Sequence, residues 1–454
     1  MQTFSEYNFG IFEIITLIIL FGISFLATYF IVPLVMKFAR SRGWIGIDIH
    51  KLEKPEVPES GGISIALGLV ISLVISIFIF PTLINEILVI LLTVIIASII
   101  GIIDDRIKLS SLEKTALTII NGGPIFLLYY VGFIEYQSPT IPILGSLRLT
   151  LIYPLVTPVI IAVTSNTVNM LEGYNGEGSG TCLIAVIFML ISGIIWGSAQ
   201  AVIYSVPFIA ILLAFWLYNK HPAKIFPGDI GTLTVGSMIG CIAIFGSIEV
   251  PTFCVLLGHV FNSFYVISSL RKLMESSEIQ LEKSDIELLE NGKIKASRED
   301  DAAMSLPRLI LAKGELTESE LVKNFYALSL VCGQFAIVSA VTMAWFVMSE
   351  DILLIVSSGI IVGIISGGII LLTYLKFPKI RGIVVIMVVL LTCGVVFLWF
   401  IDMVIMEYFP NPYNLVISAV FTTIGLGIWY YIGCLRYFWT QIDKMKKREN
   451  AEKK

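Results

Sequence analysis

Two adjacent carboxylates, Asp104 and Asp105, close an apolar run at residues 87–103. Carboxylates at the mouth of a membrane helix are costly unless something positive lies against them. A metal ion, a lysine or a diphosphate assembly would serve. Lys114 stands near the start of the next apolar stretch, where a lysine can hold a diphosphate as a point charge. Asn166, Asn169 and Asp229 also stand at the ends of apolar runs. Taken one at a time, each has a plainer reading: a solvated helix end, a snorkelling interfacial lysine, polar caps on a turn, a helix N-cap. Taken together, they predict that these ends converge on one membrane face as a phosphoryl-transfer site.

The stretches around these residues carry further chemistry. Asn166 and Asn169 are three apart and share a helix face; their amides can offer oxygens to a hard cation or NH₂ groups to phosphate. Residues 173–180 hold four glycines in eight positions, which lets backbone N–H groups approach a ligand closely. In Tyr218–Gly231, Asp229 stands just before a new apolar run, Phe226 is an apolar contact or a base-stacking platform, and His221 beside Pro222 reads as a loop residue. A fourth stretch, Asp48-Ile49-His50-Lys51 followed by Lys54 and Val57–Gly62, ends where the second span begins. By itself it is a turn and a helix start; with the others it becomes another wall of the site.

The positioning elements are membrane helices. The chain of 454 residues has a mean hydropathy of +0.91 and 57% hydrophobic residues, which excludes an ordinary soluble globule. Apolar stretches recur at about 11–35, 63–82, 87–103, 115–134, 151–168, 180–198, 200–218, 231–248, 252–270, 326–347, 352–375, 382–406 and 414–435. At roughly 20 residues per crossing this predicts an all-α, polytopic bundle of about thirteen spans. Lys and Arg concentrate in 36–62, 104–114, Lys220 and Lys224, 271–325, 376–381 and the tail from Lys444, with Arg148 on the opposite side. With the N-terminus outside, all these basic segments fall on the cytoplasmic side. The N-terminus carries Glu6 and Glu13 instead of a basic leader, so it reads as a span and not a cleaved signal. The six cysteines form no CxxC, and with three histidines neither a zinc site nor a disulfide frame is expected. The polar segment 271–325 reads as a cytoplasmic flap or a solvated linker: a helical first half, a turn at Asn291-Gly292, a charged knot at Arg298–Asp301, then Leu306-Pro307-Arg308.

In order, spacing and membrane side, these stretches resemble the polyprenyl-phosphate N-acetylhexosamine-1-phosphate transferase family. The nearest likeness is to the branch that makes GlcNAc-diphospho-dolichol, through Val57–Gly62 and the Pro-Ala-Lys-Ile-Phe-Pro-Gly-Asp core of Asn219–Gly236. The resemblance covers residues 1 to about 325. It implies a ten-span core and Mg²⁺, with Mn²⁺ as a substitute. Residues 1–350 are then the transferase core, and 351–454 are about three added spans with a basic tail. The resemblance also implies roles. Asp104 and Asp105 are the acidic pair at the lipid phosphate and Lys114 the diphosphate lysine. Asn169 and Asp229 hold the metal, with Asn166 the preceding amide. Gly173 and Phe226 flank the uracil, with Ile49 and Glu59 nearby and Asn175 the amide of the glycine loop. Three departures stand out: Lys108 replaces an Asp or Asn, Glu172 replaces a small residue or Asp, and of the Arg/His-rich loop motif only Leu306-Pro307-Arg308 remains. Arg298 or Arg308 is the candidate substitute. The implied reaction is transfer of GlcNAc-1-phosphate from UDP-GlcNAc to dolichyl or another polyprenyl phosphate, releasing UMP and beginning a lipid-linked oligosaccharide for N-glycosylation. The implied setting is an archaeal plasma membrane, or the endoplasmic reticulum of a eukaryote, with no nucleic-acid partner and a homodimer as one assembly. Three alternatives stay open: another UDP-N-acetylhexosamine as donor, a transporter, and a non-catalytic membrane scaffold. A transporter would place its ionisable groups near mid-membrane, often in repeated halves; here they cluster at one face and no repeat is evident.

Overall fold

The computed structural model describes residues 9–146, 149, 151–270, 279, 284–348, 352–406 and 413–452. Among them, ten helices are long and apolar enough to cross a membrane, and a helix pair bent by 66° can supply an eleventh crossing. The chain is an all-α polytopic membrane protein; among the described residues three short two-stranded hairpins lie in its loops.

From the N-terminus the helices are α1 (Ile11–Ser41), α2 (Gly62–Ile79), α3 (Ile84–Ile107), α4 (Ser111–Asn121), α5 (Gly123–Tyr130), α6 (Ile152–Leu171), α7 (Glu177–Trp196), α8 (Ala199–Asn219) and α9 (Gly228–Gly246). The bent pair follows, α10 (Glu249–Val255) and α11 (Leu257–Leu270). The short α12 (Leu306–Leu311) precedes α13 (Glu318–Met348), α14 (Ile352–Lys376), α15 (Arg381–Phe400), α16 (Tyr413–Trp429) and the polar α17 (Arg436–Glu452). Four of the thirteen expected spans are not single helices. The stretch 115–134 is broken at Gly122 between α4 and α5, 252–270 lies in the bent pair, and 382–406 and 414–435 run from α15 and α16 into π-helical segments, Ile401–Met406 and Tyr430–Leu435. Apolar content alone does not reveal such breaks.

Followed up and down, the helices bring the basic loops to one end of the bundle. The core is built around α9, buried along the whole of Ile230–Gly246 and packed against α2, α3, α6 and α8. The approach is closest at the site end: a side chain at Gly62 or Gly101 would collide with the backbone of Gly231 or Ile230. Glycines at these points let three helices meet backbone to backbone, which draws the end of α3 onto the start of α9.

The connections at this end are locally encoded. α3 stops at Lys108, in the left-handed region at φ 54°, its N–H still bonded to the Asp104 carbonyl. Ser110 then caps α4, exchanging hydrogen bonds with Glu113. Residues 42–61 fold into a hairpin of β1 (Ile45–Ile47) and β2 (Glu56–Pro58), in register Ile45↔Pro58. A second small hairpin pairs β3 (Thr140–Ile141) with β4 (Gly145–Ser146) at the far end. In the flap, β5 (Ile286–Leu288) and β6 (Ile294–Ala296) pair across the expected turn at Asn291-Gly292. Of the expected helical half Arg271–Glu290, residue 279 is helical but Ile286–Leu288 is strand β5 and not helix; the rest of that half up to residue 283, and the basic Arg148, lie outside the described residues.

Candidate active site

The end of β2 with the turn into α2 and the segment before α9 are joined by three backbone bonds. Phe226 N–H donates to the Pro58 carbonyl, Gly61 N–H to Phe226 and Gly62 N–H to Pro227, each at 2.8 Å. Asn219, fully buried, shapes the same segment by donating to the Ile225 carbonyl and accepting from Ser179. The turn closes at Gly228 with φ +65°, where a Cβ would also press on the Asp105 carboxylate. As a result the Asp229 N–H, at the positive end of α9, donates to Asp105 Oδ1 at 2.7 Å, and the Ser60 hydroxyl donates to Oδ2 at 2.9 Å. Arg106 donates to Ser60 Oγ and lies 3.7 Å from the centre of the Trp44 ring.

Asp104 faces the other way. Its Oδ2 is 2.5 Å from the Lys114 ammonium, and its Oδ1 accepts the Leu109 N–H. The same ammonium is 3.3 Å from Asp229 Oδ2. Asn169, at the end of α6, accepts the Thr232 hydroxyl at 2.6 Å, so α6 and α9 are fastened one turn inside Asp229. These groups line a cavity of about 350 Å³, together with Ile49, Glu59, Glu172, Gly173, Asn175 and Phe226. Six carboxylates but two lysines line it, so an anionic diphosphate would be repelled unless a divalent cation entered with it. The oxygen donors Asn169 and Asp229, with Asp104 and Asp105 beside them, fit a hard cation such as Mg²⁺.

At the other wall Asn175 is held from two directions. Its N–H donates to Glu318 Oε1 at 2.8 Å and its side-chain amide to Asp48 Oδ2 at 3.0 Å. Lys51 pairs with both carboxylates, 2.8 Å from Asp48 and 2.5 Å from Glu318, and His221 Nδ1 lies 3.2 Å from Glu318. Asp48, His50 and Glu318 have ligand atoms within 4.8 Å of one another, but the Lys51 ammonium already pairs with both of these carboxylates. Burial would raise the Asp48 carboxyl; the hydrogen bonds from Lys51 and Asn175 outweigh it and hold the group below its usual range. Glu59 is displaced the opposite way: burial raises it despite the nearby Arg106 and Lys108. His50 stacks on Tyr174 at 4.3 Å and completes this wall.

Of the residues singled out from the sequence, Ile49, Glu59, Asp104, Asp105, Lys114, Asn169, Gly173, Asn175, Phe226 and Asp229 are brought together. Asn166 and Arg308 are not. Asn166 points into the packing between helices, donating to Thr118 Oγ1 and to the Ala162 carbonyl. Arg308 is fully buried, and its guanidinium donates to the carbonyls of Ser297, Glu299, Ala302 and Ala303. Arg298 reaches Glu449 and Asn450 instead of the cavity. Three participants carried no signal that singled them out. Ser60 lay inside a recognised stretch, Thr232 is three residues beyond Asp229, and Glu318 sat in a charged segment read as loop, although α13 begins there.

A family model described as glycosyl transferase family 4 matches residues 87–247. A protein of Sulfolobus acidocaldarius, provisionally named UDP-N-acetylglucosamine–dolichyl-phosphate N-acetylglucosaminephosphotransferase, is 34% identical over 52% of this chain and 74% of its own length. A provisionally named glycosyltransferase of Methanocaldococcus jannaschii is 31% identical over 63% of this chain and 85% of its own. A phospho-N-acetylmuramoyl-pentapeptide-transferase of Bacillus pumilus is 32% identical over 54% and 78%.

Proposed function

Since the chain belongs to glycosyl transferase family 4 and is a membrane-embedded glycosyl-1-phosphate transferase, we propose that it moves GlcNAc-1-phosphate from UDP-GlcNAc to dolichyl or another polyprenyl phosphate. The observation that carries this reading is the Lys114 ammonium between Asp104 and Asp229, in a cavity that also presents Asn169 and Phe226. In this reading an oxygen of the lipid phosphate attacks the β-phosphorus of the donor. The new P–O bond forms as the bond from the β-phosphorus to the bridging oxygen breaks, and UMP leaves with that oxygen. One phosphoanhydride replaces another, so the reaction should run both ways.

Asn169 and Asp229 would hold Mg²⁺, or Mn²⁺ in its place, beside Asp104 and Asp105. When bound, the ion supplies charge neutralisation at the diphosphate. The protein's own part is alignment and electrostatics. Lys114 meets the diphosphate charge, and the Ser60 and Asp229 donors fix Asp105 in one orientation. Phe226 and Gly173 flank the uracil, and Ile49 and Glu59 close the nucleoside end. Asn175, steadied by Glu318 and Asp48, holds the glycine loop. An apolar groove along α6 and the bent pair, lined by Val163, Thr167, Phe253 and Val260, runs toward the Asn169 turn and suits a polyprenyl chain. The basic loops around the site favour the cytoplasmic face, where nucleotide sugars are soluble. Asn166 positions α6 against α4, and Arg308 acts through the flap's shape.

A second reading keeps the chemistry and changes the donor to another UDP-N-acetylhexosamine. It rests on Arg308 and Arg298, which are engaged within the flap and its neighbours and so give the sugar no described arginine. Both readings are tested by UMP release from purified protein with dolichyl phosphate, Mg²⁺ and a panel of UDP-sugars. Release with UDP-GlcNAc alone, lost in Asp229→Ala and with EDTA, is expected. Release only with a different donor would replace the first reading by the second. A folded protein inactive with every donor would sink both.

A further inference from the structure

The polar helix α17 lies along the flap, burying Phe438, Ile442 and Met445. On one flank its charges are matched: Lys446 pairs with Asp300 at 2.5 Å and Glu449 with Arg298 at 3.1 Å. On the other flank, like charges from three segments converge. Lys313 follows α12, Lys379 and Arg381 lie at the α14–α15 turn, and Lys444 and Arg448 project from α17. Their hydrogen bonds go to carbonyls: Lys379 to Lys313 at 2.7 Å, Arg448 to Ala312 at 2.6 Å, Arg381 to Tyr374 at 2.8 Å. The Lys313 ammonium lies 5.9 Å from the Tyr437 ring centre, and Tyr437 itself packs against Gly382.

Among the described residues none of these five cations forms an ion pair with a carboxylate. The acids around them are otherwise engaged, Glu315 with Lys293 at 2.6 Å and Glu320 with the Thr317 cap. Burial and the neighbouring Lys379, Arg381 and Lys444 push the Lys313 ammonium down to about 8. Burial and Arg448 likewise lower Lys379, against the charges of Glu315 and Glu320. A scattered set of interfacial lysines would avoid both penalties by staying in water. Cations gathered at the turn between two span-length helices are placed where lipid headgroups lie, and basic pockets of this kind bind headgroup phosphate.

We propose that Lys313, Lys379, Arg381 and Lys444 form a binding site for a phosphate group at the membrane surface, carried by an anionic lipid headgroup or free in solution. The site is separate from the candidate active site. Its ligand ties α12, the α14–α15 turn and α17 together. The tie reaches inward, because Leu306 N–H at the start of α12 donates to Asn262, and Asn262 donates to the Met170 carbonyl beside Asn169.

The test uses the full chain in phosphatidylcholine nanodiscs, with and without phosphatidylglycerol, and in phosphatidylcholine discs with added inorganic phosphate. The readouts are apparent Tm and the phosphatidylglycerol retained through purification. Phosphatidylglycerol should raise the Tm by a few degrees, and each lost cation should weaken retention about fivefold. Lys444→Gln removes an exposed cation that makes no hydrogen bond among the described residues, and Lys379→Gln/Lys444→Gln deepens the effect. Lys37→Gln, elsewhere on the same face, should leave it intact. A rise with inorganic phosphate alone would assign the site to soluble phosphate. An equal rise in wild type and both Lys444 variants, or none with either probe, would overturn the proposal.

Discussion

Lys114 faces two carboxylates that would otherwise face each other, 2.5 Å from Asp104 and 3.3 Å from Asp229. Removing one partner from a buried charge cluster leaves the others uncompensated, at a cost of about 3–5 kcal/mol when burial is complete. Slight exposure of Lys114 and Asp229 puts this site at the low end of that range. Lys114→Met should therefore fold with a lowered Tm, and its UMP release should fall about 10²–10³-fold. Lys114→Arg should not restore the rate, since a planar fork cannot replace a point charge between two carboxylates. Single-turnover UMP release alongside a thermal melt separates the two effects. Asp285 in the flap titrates in the opposite sense to Asp48. Burial raises its carboxyl to about 6, against the hydrogen bond from Ser305 and the charge of Arg308. The folded state thus holds this proton more tightly than the unfolded chain, so Asp285 favours folding below about pH 4 and loses that contribution as pH rises through about 6. Between those values Asp285→Asn should show a flatter dependence of Tm on pH than wild type; equal slopes would remove Asp285 from the account.

The same residues depend on how α3 and α9 meet. Gly228 has φ +65°, and a Cβ there would press on the Asp105 carboxylate. Gly228→Ala therefore combines left-handed strain of about 1–2 kcal/mol with a displaced carboxylate. UMP release should drop at least tenfold while the protein still melts cooperatively; unchanged activity would mean that the Asp105–Asp229 register is not needed. At this scale much was legible in the sequence. The ends of α3 and α6 were marked by polar residues after long apolar runs and the start of α9 by Asp229 before one, and the Gly-rich and Pro-Gly-Asp stretches marked the loops at these ends. What was hidden depended on direction. Asn166 and Asn169 share a helix face by spacing, yet Asn166 turns to Thr118 on α4 and Asn169 to Thr232 on α9. Glu318 was hidden because a charged first turn reads as loop until the helix it starts is seen. Arg308 was read as a ligand-facing arginine because four buried carbonyls converging on one guanidinium leave no periodic trace.

For the whole molecule, the division proposed at residue 350 becomes a physical question, because α17 returns to the flap. Arg298 and Asp300 are paired with Glu449 and Lys446, Ala312 accepts from Arg448, and Phe438 packs on Tyr265 beside Arg308. The loop at 297–303 is thus held from inside by Arg308 and from outside by α17. A chain ending after Leu435 keeps the inner hold and loses the outer one. Loops open locally when their contacts are few and exposed, so trypsin should cut after Arg298 much faster in the shortened chain. Arg308, with its guanidinium bonded to four carbonyls, should stay protected in both. If residues 1–350 are a self-sufficient transferase core, UMP release by the shortened chain should survive, weakened through the path from α12 by way of Asn262 to the Asn169 turn. Equal cleavage of both chains would show that α17 does not hold the flap. A shortened chain that melts normally but releases no UMP would instead make α17 part of the catalytic unit.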